Sequence, residues 1–337
     1  MEERMRLPLE RFIRSGGPTV APEMDEESKP IAREVGVRNM FIQHRLYELI
    51  GRLSSAGVRC IVLKGAHLIH GTYPFGIRPI EDIDVLFDPA DFPKVEPLLR
   101  QMGYDLCDVG MDRWTQLNVS NKMTFSANAH PVIPIDVHFS LGPYPYLGAI
   151  ERNALFEHTE TLRLQNGLSL TVLRPEMLLV HLCLHLFQHH FEDWQVSCCD
   201  IIAVLRTTGD RFDWSAFSRI VDARRLRLPV AYALRKARDF AAVDVPDEWT
   251  RAENEAGGSR FERWVYRSSQ TQRRGFDRYF LQFVTTPGWT LKVQCAWKIV
   301  FPGRLFLNMY YGGSYAKFVR EAIKIAVNGI TAMSKRE

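Results

Sequence analysis

Two carboxylates on one short apolar strand constrain this chain more than any other feature. Residues 82–87 read Asp-Ile-Asp-Val-Leu-Phe. Side chains alternate across a strand, so Asp82 and Asp84 share one face while Ile83 and Val85 face the core. Carboxylates this close repel each other, and a fold rarely keeps them adjacent without a cation. The pattern therefore predicts a strand that holds a hard divalent ion such as Mg²⁺.

A second alternating run carries a third carboxylate. In residues 133–139, Asp136 and His138 fall on the face opposite the apolar side chains. If this strand lies beside the first, Asp136 completes a three-carboxylate cluster with Asp82 and Asp84. Two-metal phosphoryl and nucleotidyl transfer uses such a cluster. His138 has a structural role, supports the metal ligands, or helps to bind the nucleotide or the acceptor at this site.

The segment before the acidic pair contains a second candidate feature. Residues 60–63 predict a buried strand that ends at Lys64-Gly65, and Ala66 then opens a helix. The free N–H groups of that helix start are suited to phosphate. Arg78 lies on the following loop, where it would either neutralise a triphosphate or pair with the nearby acidic residues.

The order of these motifs resembles the uncharacterised nucleotidyltransferase family of the polymerase-beta-like superfamily. The matching motifs are Leu63-Lys64-Gly65-Ala66, Arg78 to Leu86, and Ile135-Asp136-Val137-His138. The resemblance runs from about residue 52 to residue 139. It implies a small mixed sheet flanked by helices, Mg²⁺ ligands at Asp82, Asp84 and Asp136, and a turn at Lys64-Gly65 that contacts nucleotide phosphates.

One position departs from the superfamily's usual pattern. Members of established activity usually carry Gly-Ser or Gly-Gly in the turn, whereas Gly65 here precedes Ala66. Alanine lacks the hydroxyl that could bond a phosphate, so the phosphate contacts would come from backbone N–H groups and Lys64. The Lys-Gly-Ala form is associated with this branch of the superfamily.

The chain is expected to be an α+β protein with two folded parts, because 337 residues exceed the usual size of one domain. Residues 1–29 predict a flexible N-terminal arm around one short helix. Residues 30–173 predict the catalytic domain, and helical periodicity from residue 174 to 337 predicts an all-helical domain that binds the acceptor.

Composition restricts the expected partners and cellular compartment of the protein. The net charge of +4 permits an anionic substrate without indicating a general nucleic-acid binder. Six cysteines without regular spacing predict free thiols in a reducing compartment. The N-terminus lacks a signal-peptide pattern, and no run approaches the ~20 apolar residues of a membrane span. A cytoplasmic location is the expectation, and no pattern assigns the oligomeric state.

Three further features have alternative interpretations. His181, His185 and His189 lie on one helical face, where with Asp200 they would hold a metal, hold phosphate or simply pack. Lys122 would either reach a phosphate or blunt an exposed strand edge. A basic run on two later helices indicates either solvated helix faces or an RNA-binding patch. That run comprises Arg224, Arg225, Arg227, Arg235, Lys236 and Arg238.

These observations predict an Mg²⁺-dependent nucleotidyltransferase. Two ions are expected, with Mn²⁺ as a substitute, and the reaction would move a nucleotide from an NTP to a hydroxyl or phosphate group. Asp136 would act partly as the general base. Members of this branch are associated with biosynthetic clusters, which favours a small-molecule or peptide acceptor. The alternatives are a toxin-like transferase acting on tRNA and a silent nucleotide-binding scaffold.

Overall fold

The structure of the protein is a computed structural model. The structure describes residues 3–18, 24–107, 122–128, 130–141, 152–188, 194–250, 263, 289–301, 304–320 and 323. His189 and most of the region between residues 251 and 288, which was predicted to be largely helical, lie outside these ranges.

A seven-stranded mixed sheet forms the centre of the fold, in the order β3-β4-β5-β2-β1-β7-β6. Strands β2 and β5 pair in parallel, as do β1 and β7, and the other neighbours are antiparallel. The predicted α+β class, with a mixed sheet flanked by helices, is confirmed. The strands are β1 (Cys60–Val62), β2 (Ile83–Phe87), β3 (Tyr104–Leu106), β4 (Lys122–Ala127), β5 (Ile135–His138), β6 (Thr159–Arg163) and β7 (Ser169–Leu173).

The helices cover both faces of the sheet. In chain order they are α1 (Leu7–Arg14), α2 (Ser28–Ser55), α3 (Lys64–Leu68), α4 (Phe92–Gln101), α5 (Arg152–Glu157), α6 (Pro175–Gln188), α7 (Trp194–Thr208), α8 (Trp214–Ala223), α9 (Arg227–Phe240), α10 (Trp289–Val300) and α11 (Arg304–Tyr311). Within the described residues, no helix has both the length and the apolar character to cross a membrane.

One face of the sheet packs against α2 and α4. Apolar residues recur along α2 at helical spacing, and Ile42, Leu46 and Leu49 are fully buried there. They share a core with Val62 of β1 and Val85 of β2. The alternation of the strands therefore sends Val85 towards α2, which leaves Asp84 on the opposite face.

The opposite face packs against the helical layer, α6 to α9. Ile61 of β1 and Leu86 of β2 belong to the same core as Leu182 of α6 and Ile202 of α7. The helices predicted as a separate domain thus share a continuous core with the sheet. A boundary near residue 174 remains a prediction about how the chain divides.

Part of the predicted N-terminal arm is the helix α1, which packs against the core. The flexibility of the arm remains a prediction. The side chains of Leu9, Phe12 and Ile13 on α1 are buried in the core of the helical layer. Arg206 of α7 donates hydrogen bonds to the carbonyl oxygens of Ile13 and Gly17, at 2.7 and 2.6 Å. Because α1 is a short helix, its apolar residues do not show a clear helical period. The sequence alone therefore did not reveal that α1 packs against α7.

A buried ion pair joins the helical layer to the loop that precedes β2. Arg78 contacts both carboxylate oxygens of Asp200 on α7, at 3.0 and 2.8 Å, and Tyr73 donates to the same carboxylate at 3.0 Å. Asn39 of α2 holds the other side of the loop by donating to the Arg78 carbonyl at 2.7 Å. The loop is therefore fixed from both layers.

We expect Asp200→Leu to lower the free energy of unfolding by about 3–5 kcal/mol, because it leaves the Arg78 guanidinium buried without a counter-charge. The double variant Arg78→Met with Asp200→Leu should recover most of that loss, since no lone charge remains. Urea unfolding followed by circular dichroism measures both values.

The control is Asp222→Leu, which removes the exposed ion pair of Asp222 with Arg227. It should cost less than about 1 kcal/mol. A double variant as unstable as Asp200→Leu would show that the pair is needed for more than charge compensation.

Candidate active site

Parallel pairing of β2 and β5 places two carboxylates side by side. Asp84 lies opposite Asp136 in the register, and Thr124 of β4 lies opposite Asp136 on the other side. Both carboxylates are almost completely buried, at 3% exposure each. They lie opposite the apolar side chains of their strands, as alternation predicted, and this face packs against the helical layer.

Two cationic or polar groups meet the Asp84 carboxylate. Lys64 Nζ lies 2.7 Å and His138 Nε2 lies 2.6 Å from Asp84 Oδ1. Burial alone would raise the pKa of Asp84, but attraction by Lys64 and the His138 hydrogen bond hold that pKa well below its ordinary value. Burial lowers the pKa of His138, which favours the neutral imidazole.

Lys64 occupies a conformation that few side chains adopt. Its φ angle of 45° lies in the left-handed region, where non-glycine residues are uncommon. This geometry ends β1, begins α3 and brings the ammonium group to Asp84. Burial would lower the pKa of Lys64, but attraction by Asp84 and Asp82 outweighs it and raises that pKa. Lys64 is therefore a resident cation of the site.

The predicted phosphate turn is closely packed. A Cβ added at Gly65 would lie 2.1 Å from Ile80 Cγ2, so glycine is required there by the approach of the loop. Ala66 is buried, at 1% exposure. The nucleotide contacts predicted for Lys64, Gly65 and Ala66 remain predictions.

Asp136 has two partners on β4 that the sequence analysis did not assign to the site. Thr124 Oγ1 donates to Asp136 Oδ1 at 2.6 Å, and Lys122 Nζ contacts Asp136 Oδ2. Lys122 was interpreted mainly as an edge lysine. The alternation of Lys122, Met123 and Thr124 placed both polar side chains on one face, and only the pairing of β4 with β5 shows that this is the face of Asp136.

Asp82 lies just before β2 and is half-buried. Among the described residues, the group whose ligand atoms lie within 4.8 Å of one another comprises Asp84, Asp136 and His138, without Asp82. Burial and repulsion by Asp84 raise the pKa of Asp82 to about 7. The charge of Asp84 therefore changes the pKa of Asp82, although Asp82 does not belong to the group of Asp84, Asp136 and His138.

Arg78 does not point into this group. Its guanidinium is engaged by Asp200, so the predicted pairing with Glu81 or the acidic pair is replaced by a contact to α7. A direct role of Arg78 in binding triphosphate stays an untested prediction that this geometry disfavours. Its visible effect is to fix the loop that leads to Asp82.

The histidines on α6 do not form a metal group with Asp200 among the described residues, because Asp200 is held by Arg78 and Tyr73. His185 Nδ1 lies 3.3 Å from Ser197 Oγ. His181 is buried, and burial together with the charges of Lys64 and His138 lowers its pKa to about 3. The helical layer therefore brings a neutral imidazole towards the carboxylate site.

Comparison with known protein families identifies the family of this chain. The profile of a family described as uncharacterised nucleotidyltransferase matches residues 9–242. The chain belongs to this nucleotidyltransferase family. The matched region begins within α1, includes the acidic strands and the helical layer, and ends just after α9. These helices therefore belong to the region that the family profile covers.

Comparison with solved structures gives a more distant likeness. An antigenic nucleotidyltransferase-like protein from Paracoccidioides brasiliensis is similar over 63% of this chain and 94% of its own, with 14% sequence identity and a TM-score of 0.34. No curated protein sequence matches this chain.

A pH-dependent gain in stability should follow from Asp82→Asn. The pKa of Asp82 is about 7 in the folded chain and lower in an unfolded one. Its ionisation therefore costs folding free energy as the pH rises from about 4 through about 7. In a chelator, we expect the variant to exceed the wild type by on the order of 1 to 4 kcal/mol above about pH 7, and to match it near pH 4.

Urea unfolding across this pH range measures the difference. Asp105→Asn, at the exposed middle residue of β3, is the control; it removes only an exposed ion pair with Arg100 and should show no gain of this size. A constant difference between Asp82→Asn and the wild type at every pH would contradict the expected electrostatic cause.

Proposed function

We propose that this family member transfers a nucleotide from an NTP to a hydroxyl or phosphate group of a small-molecule or peptide acceptor, with a divalent cation. The observation that supports this most strongly is the buried pair of Asp84 and Asp136 on neighbouring strands. Two adjacent carboxylates are costly unless positive charge compensates them. In the chain alone that charge comes from Lys64 and Lys122.

The donor set suits Mg²⁺ or Mn²⁺. Carboxylate oxygens are the ligands that both ions prefer, and imidazole is compatible with Mn²⁺. Asp82 adds a carboxylate whose pKa is raised by burial and by repulsion from Asp84, so a bound cation would favour its ionised form. Asp84 and Asp136 would hold the ion or ions, with Asp82 as the third ligand. A bound ion would neutralise the triphosphate and acidify the acceptor hydroxyl.

The side chains around the carboxylates have separate tasks in this proposal. Thr124 orients Asp136 by donating to Oδ1, which leaves Oδ2 for a proton from the acceptor once Lys122 turns towards a phosphate. His138 fixes Asp84 through its Nε2 contact. Lys64 would exchange its contact with Asp84 for one with the triphosphate. These movements keep the positive charge near the reacting phosphate.

The helical layer would select the acceptor. It covers the carboxylate face of the sheet and brings buried His181 towards the site. A wall made of buried apolar helices suits a small molecule or a peptide side chain better than a long polyanion. This is also the reason for ranking transfer to tRNA as the second candidate.

Several residues of the basic run, on which the tRNA alternative rests, make separate contacts within the protein. Arg227 pairs with Asp222 and stacks on Trp249, and Lys236 lies 4.5 Å from the centre of the Trp194 ring. Arg238 donates to Thr250 at 2.7 Å. These contacts favour solvated and packed helix faces over a continuous RNA surface.

Thermal unfolding with each of the four NTPs tests the proposal. Ligand binding to the native state raises the midpoint in proportion to the logarithm of ligand excess over its dissociation constant. We expect at least one NTP to raise the midpoint only with Mg²⁺ or Mn²⁺. Asp84→Asn should abolish this rise, because it removes one of the two central carboxylates.

Asp105→Asn is again the matched control and should keep the full rise. A rise that is independent of the cation, or that survives Asp84→Asn, would favour a nucleotide-binding scaffold. Association with tRNA that falls steeply with salt would instead support the second candidate.

A further inference from the structure

A cavity separate from the carboxylate site lies where the β6–β7 edge of the sheet meets the helical layer. Its volume is 350 Å³, and none of the residues of the carboxylate site lines it. Four basic side chains line it: His158, Arg174, Arg219 and Arg224. They come from the turn before β6, the end of β7, α8 and the residue after α8. Folding thus collects positive charge from distant parts of the chain.

Among the described residues, no carboxylate lies within ion-pair distance of the guanidinium groups of Arg174, Arg219 and Arg224. Arg174 Nε donates to the Thr159 carbonyl oxygen at 3.1 Å, and Arg224 Nη1 donates to the Ile220 carbonyl oxygen at 3.3 Å. Each contact anchors a side chain and leaves other N–H groups for a ligand.

Arg224 supplies an independent sign that an acceptor is missing. Its Nε is buried and has no hydrogen-bond partner among the described atoms. A buried donor without an acceptor is costly, and such groups are rare in native structures. Rotation of the Arg224 side chain towards an oxyanion in the cavity would give this N–H group an acceptor.

The charge balance of the cavity specifies the ligand further. Glu176 is the acidic residue of the lining, and its Oε1 accepts a hydrogen bond from the backbone N–H of Asp213 at 3.1 Å. With neutral His158, three guanidinium groups and this carboxylate leave an excess of two positive charges. A phosphate monoester carries close to two negative charges near neutral pH, and guanidinium binds it in a bidentate manner.

Part of the lining is apolar. Ala216 and Ile220 border the cavity and keep some accessible surface there. The volume is at the lower end of the range of small-molecule sites, about 300 Å³ and above. We propose that this cavity binds a small organic phosphate monoester, with its phosphate on Arg174, Arg219 and Arg224 and its organic part against Ala216 and Ile220.

Calorimetric titration of the full chain with phenyl phosphate, in a chelator and at fixed ionic strength, tests this site. We expect saturable binding, with benzoate, a monoanion of similar shape, at least about tenfold weaker. Arg219→Gln should weaken phenyl phosphate binding by about tenfold or more. Arg219 is exposed, so the variant should fold, and Arg174→Gln on another element provides a second, equally exposed test.

Two controls separate this cavity from other anion sites. Arg163→Gln removes an exposed arginine of β6, and Asp84→Asn alters the carboxylate site; both should bind phenyl phosphate as the wild type does. The proposal is wrong if phenyl phosphate does not bind, if Arg219→Gln and Arg174→Gln bind it normally, or if Asp84→Asn abolishes binding. Displacement by single-stranded RNA with a steep salt dependence would also overturn it, in favour of an RNA surface.

Discussion

The repulsion between Asp84 and Asp136 organises the rest of this structure. Parallel pairing of β2 and β5 brings these two carboxylates into register, and their burial removes the water that would screen them. Positive groups therefore have to arrive from other elements. Lys64 comes from the end of β1 and Lys122 from β4. The unusual backbone angle at Lys64 and the close packing at Gly65 both serve this delivery.

The sequence predicted the strands that carry the acidic residues because alternation has a period of two and leaves a clear record in short apolar runs. It also predicted the α+β class. The turn at Lys64 was found because glycine interrupts an apolar run. In each case the signal lay within about ten neighbouring residues, where local geometry decides the outcome.

The parts that could not be predicted depend on contacts between distant segments. Nothing near Arg78 in the sequence indicates that its partner is Asp200, which lies on α7, or that Thr124 and Lys122 meet Asp136. The position of Asp82 outside the closest group depends on where β2 begins, a boundary that periodicity alone does not fix. The cavity lined by Arg174 and Arg224 likewise exists only after the sheet edge meets the helical layer.

The buried pair of Arg78 and Asp200 also limits how substrates can enter. A hinge motion that separated the helical layer from the sheet would pull a guanidinium and a carboxylate apart in a medium of low dielectric constant. Such an opening costs several kcal/mol before any apolar surface is exposed. Rearrangement of side chains around the carboxylates would admit a substrate at a lower cost than separation of the helical layer from the sheet. The same ion pair that stabilises the fold would therefore disfavour domain closure as the step that controls substrate entry.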